Sequence, residues 1–248
     1  MLDAWRPVET LPPLGKDEVQ IWRVDLPGEH TPPEEYSHLL LPEERTRAER
    51  LRAGQVRLQF VVARAVLRTL LGNCLSLDPR DVPITLASYG KPETPGVFFN
   101  LAHSGAVVLI ALCREHPVGI DIEHIGREVE ALEIAKSSFT SEEYAALSSI
   151  ADHGAQRLAF LRCWTRKEAV VKADGRGLSL SLDSFEVPVG DSAGRQMVIS
   201  VSGSAAVVHY CVRDIFYGDE VAAAWAIAAP HSTPACFIFP LAMVARKG

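Results

Sequence analysis

Two stretches of this chain hold the residue types from which chemistry is built. In PVGIDIEHI, Pro117 to Ile125, the carboxylates Asp121 and Glu123 stand two apart inside an apolar, β-branched run. In CWTRKEAVVKADGRGL, Trp164, Glu168 and Lys172 recur every four residues, so on a helix they form one stripe. Two like charges on one pleated face repel unless solvated, protonated or neutralised by a cation. Magnesium answers that need, because it takes oxygen ligands, commonly one or two carboxylates with water and phosphate oxygens completing the shell. An edge strand showing its charges to water, and a surface Glu–Lys pair on a helix, account for the same residues equally well one motif at a time. Only if Glu168 approaches Asp121 and Glu123 do three acids share a cation, with Lys172 free to hold a phosphate oxygen, as phosphoryl transfer requires.

The elements that must position these residues follow from periodicity. Val118, Ile120 and Ile122 alternate with Gly119, Asp121 and Glu123, which predicts a strand with one dry and one acidic face, Gly119 leaving room for a ligand. GVFFNLAHSGAVVLIALCREHPVGIDIEHI reads as strands joined by turns near His103–Gly105 and Arg114–Pro117. LPEERTRAERLRAG opens as a helix and breaks at Gly54. QVRLQFVVARAVLRTLLG continues at helical spacing and is expected to end near Gly72. In FTSEEYAALSSI, Thr140 and Glu143 have capping-box spacing, AQRLAFLRCWTRKEAVVKADGRGL is a longer helix ending near Gly175, and LSLSLDSFEV, AAVVHYCVRDIFYG and EVAAAWAIAA read as strands. Helix, turn and strands thus occur twice in the same order. The expected fold is α+β, with two similar halves, 1–114 and 115–248, each a small mostly antiparallel sheet with a packed long helix and the active site in the cleft between them.

Composition narrows the setting. With 248 residues and 48% hydrophobic content the chain can bury a sizeable core, and its five scattered cysteines form neither a disulfide framework nor a zinc pattern. Those cysteines point to a reducing cytoplasm, and a soluble protein is expected, since the N-terminus lacks a signal pattern and ACFIFPLAMVA is too short and proline-broken to span a bilayer. The chain is expected to be a monomer. The net charge of −6 argues against wholesale nucleic-acid binding. Between Leu41 and Leu70, however, seven Arg face three Glu, so this stretch carries +4, either a local anion site or a solvated helix face.

GKP (Gly90–Pro92), FNLAHSG, VGIDIE and WTRKEAVVKADGRGL, in this order and spacing, resemble the 4'-phosphopantetheinyl transferases of the larger, surfactin-type class, over about Leu41 to Trp225. The resemblance implies transfer of the phosphopantetheine arm of coenzyme A to a serine of an acyl, peptidyl or aryl carrier protein, releasing adenosine 3',5'-bisphosphate. It implies a pseudo-dimeric fold with coenzyme A between the halves; no nucleic-acid or membrane partner is expected, from the charge and the lack of a spanning segment. Matched residue by residue, Asp121, Glu123 and Glu168 fall where the family binds Mg2+, and Lys172 where it contacts the pyrophosphate. Lys91, His103 and Ser104 match coenzyme-binding positions, and Arg45, Arg47 and Arg50 lie near the 3'-phosphate. Glu44 stands where some members are basic, and Ala102 where many have serine, a lost hydroxyl contact. Glu168 or Glu143 is the expected acceptor of the serine proton, Glu143 having the capping box as its alternative. Trp164 is read as packing. A silent homologue holding coenzyme A or carrier, and a magnesium-dependent hydrolase of the coenzyme A pyrophosphate, are the competing readings.

Overall fold

Alternating side chains of the long strands are buried on both faces, which puts the sheets inside the molecule. The computed structural model describes residues 5–245 apart from 29, 52–53, 193, 203–205, 217–219 and 230–233. In chain order come strands β1 (Arg6–Pro7) and β2 (Val19–Asp25), helices α1 (Pro42–Arg50) and α2 (Gln55–Leu75), and strands β3 (Thr85–Leu86), β4 (Pro92–Glu93), β5 (Phe98–Ser104), β6 (Val107–Cys113) and β7 (Val118–His124). Helices α3 (Ala131–Ser138), α4 (Ser141–Ser148) and α5 (His153–Asp174) follow, then strands β8 (Met197–Ser202), β9 (Val207–Asp214), β10 (Val221–Ile227) and β11 (Pro234–Ile238). One sheet runs β1-β11-β2-β6-β5 and a second β7-β10-β9-β8, with β3–β4 a separate hairpin. The second sheet is antiparallel throughout; the first is antiparallel except where β11 lies parallel to β1 and β2.

Trp22 and Val24 of β2, with Val108, Ile110 and Leu112 of β6, join α2 residues such as Val62 and Val66 in one core. Their strand neighbours Val19, Ile21, Leu109 and Ala111 point the other way and meet Val118, Ile120 and Ile122 of β7 and Trp225 of β10. Ala222, Ala224 and Ala226 face α5 in a third core. The layers are therefore helix, sheet, sheet, helix. Helix α2 has the length and hydropathy of a bilayer span, but 67% of that window is buried among its own core partners.

The expected duplication is written in buried ion pairs. Glu44 accepts the Leu41 backbone N–H at 3.0 Å and pairs with Arg68 of α2 through bonds of 2.7 and 3.0 Å, while Arg68 also donates to the carbonyls of Pro79 and Val82. Glu143 accepts the Thr140 N–H at 3.0 Å and pairs with Lys167 of α5 at 2.8 Å, and Lys167 donates to the carbonyls of Leu182 and Phe185. Val19 to Val118, Glu44 to Glu143 and Arg68 to Lys167 are the same interval along the chain.

Three expectations are corrected. LSLSLDSFEV is not a strand: Gly177–Ser179 and Leu182–Ser184 form 3-10 turns, held because Lys167 collects two of the segment's carbonyls. Helix α2 does not stop near Gly72 but runs to Leu75, with Ser76 left-handed at its end; a Cβ on Gly72 would lie 2.8 Å from the Leu77 carbonyl, so this glycine makes room for the returning chain. Finally, a boundary at 114/115 assigns Pro234–Ile238 to the second half, whereas β11 pairs between β1 and β2 of the first sheet.

Candidate functional site

Helix α5 lies almost directly on β7, and the sequence explains why. The strand positions facing it are Gly119, Asp121 and Glu123, and the paired residues of β10 are Ala226, Ala224 and Ala222. A Cβ at Gly119 would sit 2.0 Å from the Ala169 carbonyl oxygen and 2.4 Å from the Ala173 nitrogen. The glycine thus admits the helix, not a ligand as expected. Closeness here lets Lys172 reach the strand, its Nζ donating to Asp121 Oδ1 at 2.6 Å and the Ile120 carbonyl at 3.3 Å. Gly119→Ala is expected to destabilise the protein by about 3 kcal/mol, since the obstruction is backbone that cannot rotate aside. Urea unfolding checks this, and an unchanged midpoint would refute the contact.

Burial pushes the Asp121 carboxyl up to about 6, against the pull of Lys172, and Glu168 and Glu123 raise it further. Glu168 is also raised, first by burial and then by Glu123, with Lys172 opposing. The helix acid and the strand acids therefore share one electrostatic neighbourhood. They do not converge on a point: among the described residues no three acids, histidines or cysteines stand close enough to hold a metal ion. Their cations explain the spread, because Lys172 takes Asp121 Oδ1 and Arg127 takes Glu123 Oε1 at 2.7 Å. Asp121 Oδ2 is buried and has no hydrogen-bond partner, the condition of an oxygen that a hard cation satisfies.

The outer edge of β7 faces β5, and side chains of the NLAHS run bridge them. Asn100 Oδ1 accepts the Ile120 N–H at 2.9 Å and Ser104 Oγ accepts the His124 N–H at 2.9 Å. Ser104, expected at the coenzyme, is thus a joint between the halves. Ala102, between them on the same face, packs in the inter-sheet core, so its methyl fills a dry layer where a hydroxyl would need a partner. His103 points oppositely. Its imidazole is held below the usual histidine range by burial and by Lys172, and it lines a cavity of about 350 Å³ with Arg47, Phe60 and Arg64.

In that cavity the Arg47 and Arg64 guanidinium groups lie 5.3 and 5.8 Å from the centre of the Phe60 ring. Glu44, 3.4 Å from Arg64, is already committed to Arg68, which leaves the cavity in positive excess. Of the other arginines expected here, Arg45 donates to the carbonyls of Ser37, His38 and Leu40, and Arg50 is exposed and lines neither large cavity. A second cavity, of about 530 Å³, lies between the β3–β4 hairpin and the end of α5, lined by Tyr89, Phe98, Pro117, Asp174 and Arg176 and by Lys91. The Lys91 ammonium is turned toward backbone carbonyls of Val118, Lys172 and Ala173. Glu143, the alternative proton acceptor, is only 3% exposed, with its oxygens on Lys167 and on the N–H groups of Thr140 and Val187. These contacts make it a cap and counter-ion, the alternative that the capping box offered. Sequence reasoning missed Arg64 and Asn100. Arg64 stands four residues after Phe60 on the helix, and Asn100 interrupts the apolar run from Phe98 to Ala102, and both signals were legible.

Residues 117–228, from the start of β7 through β10, match the model of the 4'-phosphopantetheinyl transferase superfamily. The chain is 33% identical over 190 residues to the 4'-phosphopantetheinyl transferase HetI of Nostoc sp., covering 74% of this chain and 79% of that protein. It is likewise 33% identical over 167 residues to the 4'-phosphopantetheinyl transferase Sfp of Bacillus subtilis, covering 66% of this chain and 73% of Sfp. A phosphopantetheinyl transferase of Thraustochytrium sp. is 29% identical over 174 residues. With two relatives 33% identical and matched over more than two thirds of their own length, this chain belongs to the 4'-phosphopantetheinyl transferase family.

Proposed function

We propose that the protein transfers the 4'-phosphopantetheine arm of coenzyme A to a serine hydroxyl of an apo carrier protein, and that the reacting centre lies where Lys172 meets Asp121. The observation that carries this placement is the Lys172–Asp121 contact across the Gly119 approach, beside His103 and a cationic cavity. We assign the pyrophosphate to Lys172 and His103 and the 3'-phosphate to Arg47 and Arg64, so that the first half holds the coenzyme and the second supplies the acids and the lysine. Asp121, Glu123 and Glu168 would hold Mg2+, for which the partnerless Asp121 Oδ2 is suited. Bound there, the ion would neutralise charge growing on the phosphate oxygens.

In the reaction the serine oxygen forms a bond to the β-phosphorus. The bond to the departing adenosine 3',5'-bisphosphate breaks in line, its electron pair leaving on the bisphosphate oxygen. Glu168, which burial makes a stronger base than an exposed carboxylate, takes the serine proton directly or through water. The Lys172 ammonium offsets charge on the phosphate oxygens, and the neutral state favoured at His103 makes it a hydrogen-bond donor without a second fixed charge. A site assembled within one chain, together with five buried free cysteines, suits a monomer in a reducing compartment.

Intact mass spectrometry of apo carrier incubated with coenzyme A and Mg2+ tests the proposal: the carrier should gain one phosphopantetheine. Release of bisphosphate without carrier would instead identify a hydrolase, and coenzyme binding without either product a silent homologue. Arg47→Ala combined with Arg64→Ala is expected to raise KM for coenzyme A about tenfold, with little effect on KM for 3'-dephospho-coenzyme A. Equal losses for both substrates would remove the 3'-phosphate from that cavity.

A further inference from the structure

The last turn of an α-helix leaves carbonyls that no helical N–H can reach. In α5 the Val171 carbonyl is met by the Gly175 N–H at 3.0 Å. The next two, of Lys172 and Ala173, are met from the other half of the molecule. Lys91, from the turn of the β3–β4 hairpin, donates to the Lys172 carbonyl at 2.5 Å, the Ala173 carbonyl at 3.3 Å and the Val118 carbonyl of β7 at 3.4 Å. Its stem crosses Gly175, where a Cβ would lie 3.5 Å from Lys91 Cδ. A lysine ammonium has three N–H donors, and three carbonyls stand within reach, so none is reserved for a phosphate.

We propose that the Lys91 side chain is a positioning group and not a phosphate ligand: it clamps the end of α5 to β7 and thereby sets the backbone from which Lys172 reaches Asp121. This rests on the placement of the reacting centre at Lys172. A cation at a helix C-terminus is favourable, and here it pins the carbonyl of the residue whose side chain does the work. The hairpin of the first half thus controls the geometry of a side chain in the second. Removing the ammonium frees the last turn to fray, and Lys172 with it.

Lys91→Met keeps the stem and removes the donors. Turnover is expected to fall about thirtyfold, while calorimetric affinity for coenzyme A stays within about threefold of wild type. In a Lys172→Met background the same substitution should cost almost nothing further, because the strut then supports no ammonium. A tenfold loss of coenzyme affinity with turnover retained would overturn the proposal, as would unchanged turnover, or full multiplication of the two losses. If Lys91→Met does not fold, Lys91→Arg decides on the same terms, reduced turnover at retained affinity supporting the strut and the converse refuting it. Phosphopantetheine gain on carrier with the wild-type protein keeps the transferase reading separate from this result.

Discussion

Asp121→Asn is expected to lose about a thousandfold in transfer rate and, in metal-free buffer at pH 8, to unfold at a higher temperature than wild type. The two effects have one origin. An aspartate in the unfolded chain titrates near 3.9, whereas burial holds Asp121 at about 6 in the folded protein. Below about pH 4 both states carry the proton and the residue is neutral in the balance. As pH rises toward 6 the unfolded chain ionises first, so stability falls, and above 6 a deficit of about 3 kcal/mol persists. Asparagine does not titrate. The melting temperatures of variant and wild type in chelator should therefore nearly coincide at pH 4 and separate between pH 4 and 6. A constant gap across that range, or retained transfer, would remove Asp121 from the centre of the site.

Glu143→Ala should behave in the opposite way, costing about 3–5 kcal/mol of stability while leaving transfer measurable below the lowered melting point. The substitution strands the Lys167 ammonium, which is wholly buried, and unmakes the acceptors for the N–H groups of Thr140 and Val187. Lys167 keeps the carbonyls of Leu182 and Phe185 and the Phe185 ring 4.6 Å away, which together temper the loss but do not replace the charge. Denaturant titration gives the energy, and the carrier assay at low temperature gives the activity. Loss of transfer in a folded variant would restore Glu143 to the chemistry.

The strand and helix that carry the acids were legible because their apolar partners repeat at period two and at helical spacing, and the capping box at Thr140 was legible because both of its members are local. What lay outside reach was set by contacts distant in sequence. Gly119 offered no sign of whether a ligand or a helix fills its space. Ser104 and Lys91 have the chemistry of phosphate ligands, yet their partners are backbone groups 20 and 81 residues away. LSLSLDSFEV has a strand's composition, and a buried lysine on another element bends it into turns. Arg45 and Arg47, two apart on a short helix, diverge because only one of them faces Phe60.

The return of β11 to lie between β1 and β2 has a consequence for biosynthesis. Emerging before the other strands described, β1 finds no neighbour to bond with, since its sole sheet partner among the described residues is β11 and that strand is translated some two hundred residues later. The first sheet is thus completed only after the acidic sheet has been made, β1 waiting unpaired for β11.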